Sequence, residues 1–167
     1  MGTIINISED MFNGDVLDLS YGDFSVLYPM FKRQEELQVD YYERAGGKKN
    51  IGSENFDTGI LMFTLQSINS RMGKRALLKE ISSYLKKNGY LHIWDIDKGY
   101  GKIFKDDIII NLDSNNEKGR IISIKNFRIA NDNSMDSMLK LVQEHFTIVT
   151  FQEDRGVYYI KCRKKGR

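Results

Sequence analysis

The sequence has few of the residues that cross-link small proteins or bind metals. It contains one cysteine, Cys162, and two histidines, His92 and His145, among 167 residues. An intramolecular disulfide, a cysteine-rich zinc site and a three-histidine metal site are therefore excluded. The single proline, Pro29, and the lack of any biased tract favour one domain over residues 1–167 rather than domains joined by a linker.

Long apolar runs and a large net charge are also missing. The longest apolar runs, such as 59–65, fall far short of the roughly 20 residues of a membrane span, and no N-terminal targeting pattern is present, so we expect a cytoplasmic protein without a membrane partner. The net charge is +2, which argues against a globally basic nucleic-acid binder. Five positive charges lie in 161–167, where we expect a solvated basic tail that leaves a local anionic contact open.

Short apolar runs alternate with a helical pattern over the first 95 residues. The predicted strands span 15–19, 37–39, 59–63 and 90–95. Residues 70–87 form the clearest amphipathic helix, and Asn88 followed by Gly89 is typical of a left-handed helix stop. This alternation predicts an α/β fold with a parallel sheet and right-handed crossovers.

A second pattern, an insertion at about 99–130, interrupts this alternation. Residues 108–112 and 121–124 flank a turn-rich stretch and predict a β-hairpin, to which 127–130 could add a third strand. The insertion follows the strand that ends at Asp95, so it leaves the carboxyl edge of the sheet, where ligands bind in such folds. This position suits a role for the insertion as a cap over the substrate. The alternatives are an extension of the sheet and a homodimer contact.

The chain closes with a helix and a second hairpin. Asn133 or Ser134 caps a helix with apolar residues at helical spacing. Residues 146–151 and 157–161 surround a tight turn and predict an antiparallel pair of strands.

Taken in order, these segments resemble class I S-adenosylmethionine-dependent methyltransferases. Val16-Leu17-Asp18-Leu19 is similar to the family's first strand, and Gly22 lies in the turn that corresponds to its glycine-rich loop. Asp40 stands 22 residues after Asp18, where the family has the acid that holds the ribose hydroxyls. Further similar segments are 56–61, 77–81 and 85–93. The resemblance spans residues 15 to 161.

The resemblance implies a Rossmann-like sheet, mostly parallel with a C-terminal antiparallel hairpin. Fewer than twenty residues separate Asp40 from Phe56, so the family's third-strand unit is expected to be lost. The implied cofactor is S-adenosylmethionine, and the implied acceptor is a small molecule rather than nucleic acid. The resemblance assigns cofactor contacts to Asp18, Ser20, Gly22, Asp40 and Phe63.

Several of these assignments have alternatives. Glu43 could replace Asp40 if the strand ends later, Asp18 could order the loop through backbone hydrogen bonds, and Phe63 could belong to the core. The family's three loop glycines fall on Ser20, Gly22 and Phe24, and only the middle one is glycine here. This departure supports a second hypothesis, a non-catalytic methyltransferase-like module that serves binding or assembly.

The methyl transfer implied by the resemblance requires residues that align the reactants. It also requires a base where the acceptor loses a proton. Asp95 and Asp97 end a strand at the expected active edge and are the candidate catalytic carboxylates. The alternative is a solvated turn. His92 lies inside the same strand and is predicted to be a hydrogen-bonded core histidine, and Cys162 is predicted to be a buried or edge thiol.

Overall fold

The computed structural model describes residues 2–21, 24, 26–27, 39–41, 53–112 and 119–166, with the backbone alone at 39–41. These residues form two sheets and two α-helices. The strands are β1 (Thr3–Ile7), β2 (Val16–Asp18), β3 (Val39–Tyr41), β4 (Phe56–Met62), β5 (Leu85–Ile96), β6 (Phe104–Leu112), β7 (Arg120–Asn126), β8 (Phe146–Asp154) and β9 (Val157–Lys164). The helices are α1 (Arg71–Tyr84) and α2 (Met135–Val142).

The larger sheet has six strands in the order β3-β2-β4-β5-β9-β8. β2 pairs in parallel with both β3 and β4, and β4 pairs in parallel with β5. β9 is antiparallel to β5 and to β8. The predicted α/β class is therefore confirmed, and the sheet is mixed.

The C-terminal hairpin forms as predicted and is longer. β8 and β9 are joined by Arg155 and Gly156, whose φ angles of 50° and 81° fit the two-residue turn that matches strand twist. The expectation of a solvated tail from residue 161 is wrong, because β9 runs through Lys164 in the interior of the sheet. The Lys164 ammonium donates to the Leu85 carbonyl at 2.8 Å.

Helix α1 begins as predicted but ends three residues early. The Ser70 hydroxyl accepts the Gly73 N–H at 2.9 Å, which caps the first turn. The chain then enters β5 at Leu85, which is fully buried. Asn88 does have a left-handed φ of 64°, but it lies in an irregular part of β5 rather than at a helix end. Burial of Leu85 beside β4 thus outweighs the local stop signal.

The first strand of the chain is β1, which the sequence interpretation missed. β1 pairs in parallel with β6, and β6 pairs with β7 as the predicted antiparallel strands. These three strands form a sheet of their own, so the alternative that the insertion extends the main sheet is wrong. Residues 127–130 form no strand. Ile5 and Ile7 point inward and Ile4 and Asn6 outward, the alternation of a half-buried strand.

The main sheet is the middle of three layers. On one face, α1 and α2 bury Leu78, Ile81 and Leu141 against it. On the other face, the small sheet buries residues such as Ile108 and Ile124 in the core that contains Trp94. In the part of the chain that the structure describes, neither α1 nor α2 has the length and apolarity to cross a membrane.

His92 is a hydrogen-bonded core residue, as predicted. Its Nδ1 lies 2.7 Å from the Tyr159 hydroxyl, and its ring meets Phe12 edge-on at 4.9 Å. Burial, with a smaller contribution from Lys161, lowers the pKa of His92 to about 3. The lone thiol, Cys162, is buried as well, and burial raises its pKa.

We expect His92 to make the protein acid-sensitive. Below its ordinary pKa of 6.5, His92 is protonated when unfolded but stays neutral when folded, so stability is lost as the pH falls from 6.5 toward 3. Between pH 7.5 and 5.0 the loss is about 2 kcal/mol. Urea unfolding at both pH values should show the native protein losing about 2 kcal/mol relative to His92→Phe between pH 7.5 and 5.0, because this comparison cancels the titration of the groups that both proteins share. His145→Phe is the matched control, and an equal acid loss in His92→Phe would contradict the assignment.

Candidate functional site

The carboxyl ends of β2, β4 and β5 lie side by side. The chain leaves β2 toward β3 on one side and returns to β4 on the other, so a topological switch point lies between β2 and β4. Ligands of open α/β sheets bind outside the carboxyl ends of the strands at such a point. Backbone bonds from Leu19 N–H to the Ile60 carbonyl at 2.9 Å and from Phe63 N–H to the Trp94 carbonyl at 2.7 Å hold the edge together.

Asp18 and Ser20 shape the chain as it leaves β2. The Asp18 carboxylate accepts the Ser20 N–H at 3.0 Å, and the Ser20 hydroxyl accepts the Met62 N–H at 2.9 Å. Both side chains are buried. The alternative role of Asp18, ordering the loop through a backbone hydrogen bond, is present in the structure, and Ser20 ties that loop to the end of β4, while their cofactor contacts stay predictions.

Thr64 forms a second tie that the sequence interpretation missed. Its hydroxyl accepts the Tyr21 N–H at 3.0 Å and donates to the Met62 carbonyl at 3.1 Å. Between these contacts Phe63 has a φ of 51°, a left-handed conformation that is strained for a bulky residue. The Phe63 ring is fully buried, 6.2 Å from the ring of Phe24. The sequence did contain a signal for Thr64, because a hydroxyl residue directly follows the apolar strand.

Asp40 and Gly22 are the two remaining predicted cofactor contacts. Asp40 lies in β3, paired with Leu17 of β2. The strand spans Val39–Tyr41, two residues later than predicted, so Asp40 is inside it rather than just beyond it. Gly22 and the alternative acid Glu43 lie outside the described residues.

Asp95 is the centre of a buried polar cluster at the end of β5. One carboxylate oxygen accepts the Leu65 and Gln66 N–H groups at 3.0 and 3.4 Å. The other accepts the Ile96 N–H at 2.8 Å and the Asn133 amide at 2.9 Å. Burial raises the pKa of Asp95 to about 7, against the opposing effect of these donors and a nearby lysine. The solvated-turn alternative is therefore wrong for Asp95.

That lysine is Lys74, whose side chain is buried on α1. Its ammonium uses all three donors, to Asn131 Oδ1 at 2.8 Å, the Asp132 carbonyl at 2.9 Å and Asn133 Oδ1 at 3.0 Å. Burial lowers the pKa of Lys74 to about 8, while Asp95 and Asp132 act in the opposite direction. Asn133 bridges the ammonium of Lys74 and the carboxylate of Asp95, so the cluster links α1 to β5.

The Lys98 side chain binds both ends of the insertion. Its ammonium donates to the carbonyls of Lys102, Arg128 and Asn131 at 3.0, 2.8 and 2.6 Å. Next to it, the half-buried Asp97 accepts the Met135 N–H at 3.0 Å and so joins the N-terminal cap of α2. The sequence interpretation did not identify Lys74 or Lys98, because a buried lysine looks the same as a solvated one in a sequence.

The structure thus places the predicted residues in two adjoining groups. Asp18, Ser20 and Phe63 meet where β2 and β4 end, while Asp95 and Asp97 lie at the end of β5. The bond from Phe63 N–H to the Trp94 carbonyl joins the groups. Hydroxyls and carboxylates at this edge are largely engaged by backbone donors, which gives a rigid rim.

Removing the Asp95 carboxylate should destabilise the protein severely. Asp95→Ala leaves four buried donors without an acceptor, which we expect to cost about 3 kcal/mol or more. Asp97→Ala is the matched control, because it removes the acceptor of the Met135 N–H from a half-buried position and should cost about 1 kcal/mol. Urea unfolding followed by circular dichroism would measure both. Equal losses in the two variants would show that Asp95 does not organise this edge.

The described fold is similar to those of solved S-adenosylmethionine-dependent methyltransferases. One from Mesorhizobium loti is 11% identical, with 90% of each chain covered and a TM-score of 0.54. The 1,6-didemethyltoxoflavin-N1-methyltransferase of Burkholderia thailandensis, solved with 1,6-didemethyltoxoflavin and S-adenosylhomocysteine, is 15% identical, covering 93% of this chain and 73% of that one, with a TM-score of 0.56.

The N-methyltransferase NodS of Bradyrhizobium japonicum, solved with S-adenosylhomocysteine, is 11% identical, covering 92% of this chain and 80% of that one, with a TM-score of 0.54. No protein-family model matches the sequence, and no curated protein matches it. The likeness therefore lies in the fold, at low identity. The chain has a divergent class I methyltransferase-like fold.

Proposed function

We propose that this protein is an S-adenosylmethionine-dependent methyltransferase that acts on a small-molecule acceptor. The observation that carries the proposal is the likeness of fold to such enzymes over at least nine-tenths of this chain. Two of those neighbours were solved with S-adenosylhomocysteine. One of them was also solved with a small heterocycle, which supports a small acceptor here.

The residues at the switch point fit this cofactor. Asp40 lies in β3 beside β2, so the chain has a carboxylate-bearing residue next to the strand that precedes the proposed cofactor loop. Carboxylates suit ribose hydroxyls, which are hydrogen-bond donors. We assign ribose binding to Asp40 and the close backbone approach to Gly22. Asp18 and Ser20 hold the loop against β4, and Phe63 forms part of the wall of the proposed cofactor site.

When bound, S-adenosylmethionine supplies a methyl group on a sulfonium, which is an electrophile with a good leaving group. The chain's own residues have to align the acceptor with that methyl group and exclude water. Of the two candidate carboxylates, Asp97 is the better placed to take an acceptor proton, because it is half-buried and, among the described residues, accepts one backbone hydrogen bond, from the Met135 N–H. Asp95 is better suited to be a positioning residue, since its four donors hold the turns around the site.

The same proposal assigns roles to the finer features of the fold. The six-stranded sheet corresponds to the family's sheet without its third-strand unit, and the insertion at 99–130 serves as a cap that leaves the carboxyl edge of β5. Lys98 supports this role, because its ammonium holds the two ends of the insertion together. A homodimer contact through the insertion stays an alternative role for it, and a cytoplasmic location stays a prediction.

Calorimetric titration with S-adenosylmethionine and S-adenosylhomocysteine tests the cofactor proposal. We expect both to bind, and Asp40→Ala to weaken binding about 10-fold or more through loss of hydroxyl contacts to a charged group. Asp106→Ala, at a half-buried carboxylate on β6, is the matched control and should bind as the native protein does.

Two outcomes would contradict these assignments in different ways. Unchanged affinity in Asp40→Ala would show that another acid, such as Glu43, holds the ribose. Absence of binding by the native protein at about 1 mM ligand would overturn the enzyme proposal, since that affinity corresponds to only about 4 kcal/mol. The non-catalytic binding module would then replace it.

A further inference from the structure

Gln66 lies in the turn after β4, and all of its polar groups form hydrogen bonds. The residue is 6% exposed. Its side-chain amide donates to the Phe63 carbonyl at 3.0 Å and to the Ser67 hydroxyl at 2.9 Å, and its backbone N–H donates to the Asp95 carboxylate at 3.4 Å. A buried polar side chain whose partners are all present is rigid, because any other conformation leaves some of these groups unpaired.

The remaining bonds of Gln66 come from the end of the insertion. Asn126, the last residue of β7, donates to the Gln66 carbonyl at 3.0 Å and to its Oε1 at 2.9 Å. Asn131 donates to the same carbonyl at 2.8 Å. Both asparagines are buried. Arg128 adds an exposed contact, to the Ser67 carbonyl at 3.1 Å. The insertion is thereby fixed to the turn after β4.

This arrangement supports the strained residue Phe63. Its φ of 51° is a left-handed conformation that bulky side chains rarely adopt. Both of its backbone polar groups are bound, since the N–H donates to the Trp94 carbonyl at 2.7 Å and the carbonyl accepts the Gln66 amide. Such a conformation persists only where the surroundings over-determine it. Gln66 and Trp94 therefore hold Phe63 from its two sides.

The conformation of Phe63 sets the direction of the next residue, Thr64. The Thr64 hydroxyl accepts the Tyr21 N–H at 3.0 Å, and Tyr21 belongs to the loop after β2 that we assign to the cofactor. An ordinary φ at Phe63 would turn the chain at Thr64 and break this bond. Contacts therefore run from the insertion through Gln66 and Phe63 to the cofactor loop.

We propose that Gln66 is a positioning residue for cofactor binding and that Asn126 of the insertion holds it in the binding conformation. The inference rests on the proposed function. It gives the insertion a second role besides that of a cap, because the insertion also preorganises the cofactor loop across β4. Gln66 acts through Phe63 and Thr64 and does not touch the cofactor.

Gln66→Met tests the positioning role, since methionine is similar in length and has none of the amide's hydrogen bonds. We expect the variant to bind S-adenosylhomocysteine about 5-fold or more weakly than the native protein in calorimetric titration. Thr58→Val is the matched control. It removes a buried hydroxyl that donates to the Asn13 carbonyl at the opposite end of β4, so it should lower stability and leave the affinity unchanged.

Asn126→Leu tests whether the insertion provides the support. It should weaken binding to within about 2-fold of Gln66→Met, and the double variant should bind no more weakly than Gln66→Met alone, because both changes break the same series of contacts. Asn111→Leu is the matched control. Its amide donates to Asn6 within the small sheet, away from Gln66, and its loss should leave the affinity unchanged.

Amide hydrogen exchange measured by mass spectrometry gives a readout that needs no ligand. Peptides that cover 61–67 should exchange about 10-fold or more faster in Gln66→Met and in Asn126→Leu than in the native protein, while peptides from β9 keep their native rate. A merely structural role would instead lower global stability and accelerate exchange in both regions alike.

The possible failures are distinguishable. Native affinity in Gln66→Met or Asn126→Leu, or equal acceleration of exchange in 61–67 and in β9, would overturn the positioning role and leave the proposed function standing. Absence of S-adenosylhomocysteine binding by the native protein would overturn the proposed function, and the positioning role with it.

Discussion

The hydrogen bonds of the buried Asp95 carboxylate are the interaction on which the carboxyl edge of the main sheet depends. A carboxylate in an apolar interior is unfavourable unless it is paired and hydrogen-bonded. Here four donors come from three different segments, and Asn133 connects the carboxylate to the ammonium of Lys74. The turn after β4, the end of β5 and the approach to α2 are thereby fixed relative to one another. Any ligand at this edge meets a rim that is already organised.

Much of the architecture could be predicted from pattern alone. The apolar runs that became β2, β4 and the β8–β9 hairpin, and the amphipathic stretch of α1, had the periodicities of their elements. The errors came where tertiary burial outweighed a local signal. Asn88 has the left-handed conformation of a helix stop, yet Leu85 had already left the helix to pair with β4. The strand β1 was overlooked because its partner lies about a hundred residues away.

The candidate site was predictable in its position but only partly in its chemistry. The order of elements indicated the carboxyl edge of β2 and β4, and Asp18 and Ser20 are indeed there. Their hydrogen bonds to backbone groups could not be foreseen, because a side chain's partner depends on strand register. Lys74 and Lys98 were missed for a related reason: nothing in a sequence distinguishes an ammonium surrounded by carbonyl oxygens from one in water.

The pairing of β1 with β6 has a consequence for synthesis of the chain. Residues 3–7 leave the ribosome before their partners at Ile108–Leu112, which follow about a hundred residues later. At roughly 5–20 residues per second, Ile5 and Ile7 remain uncovered for about 5–20 s. Such a sequence-distant contact slows folding and leaves an apolar strand edge exposed meanwhile. The layer that completes one face of the sheet is therefore also a part of the nascent chain that needs protection from association.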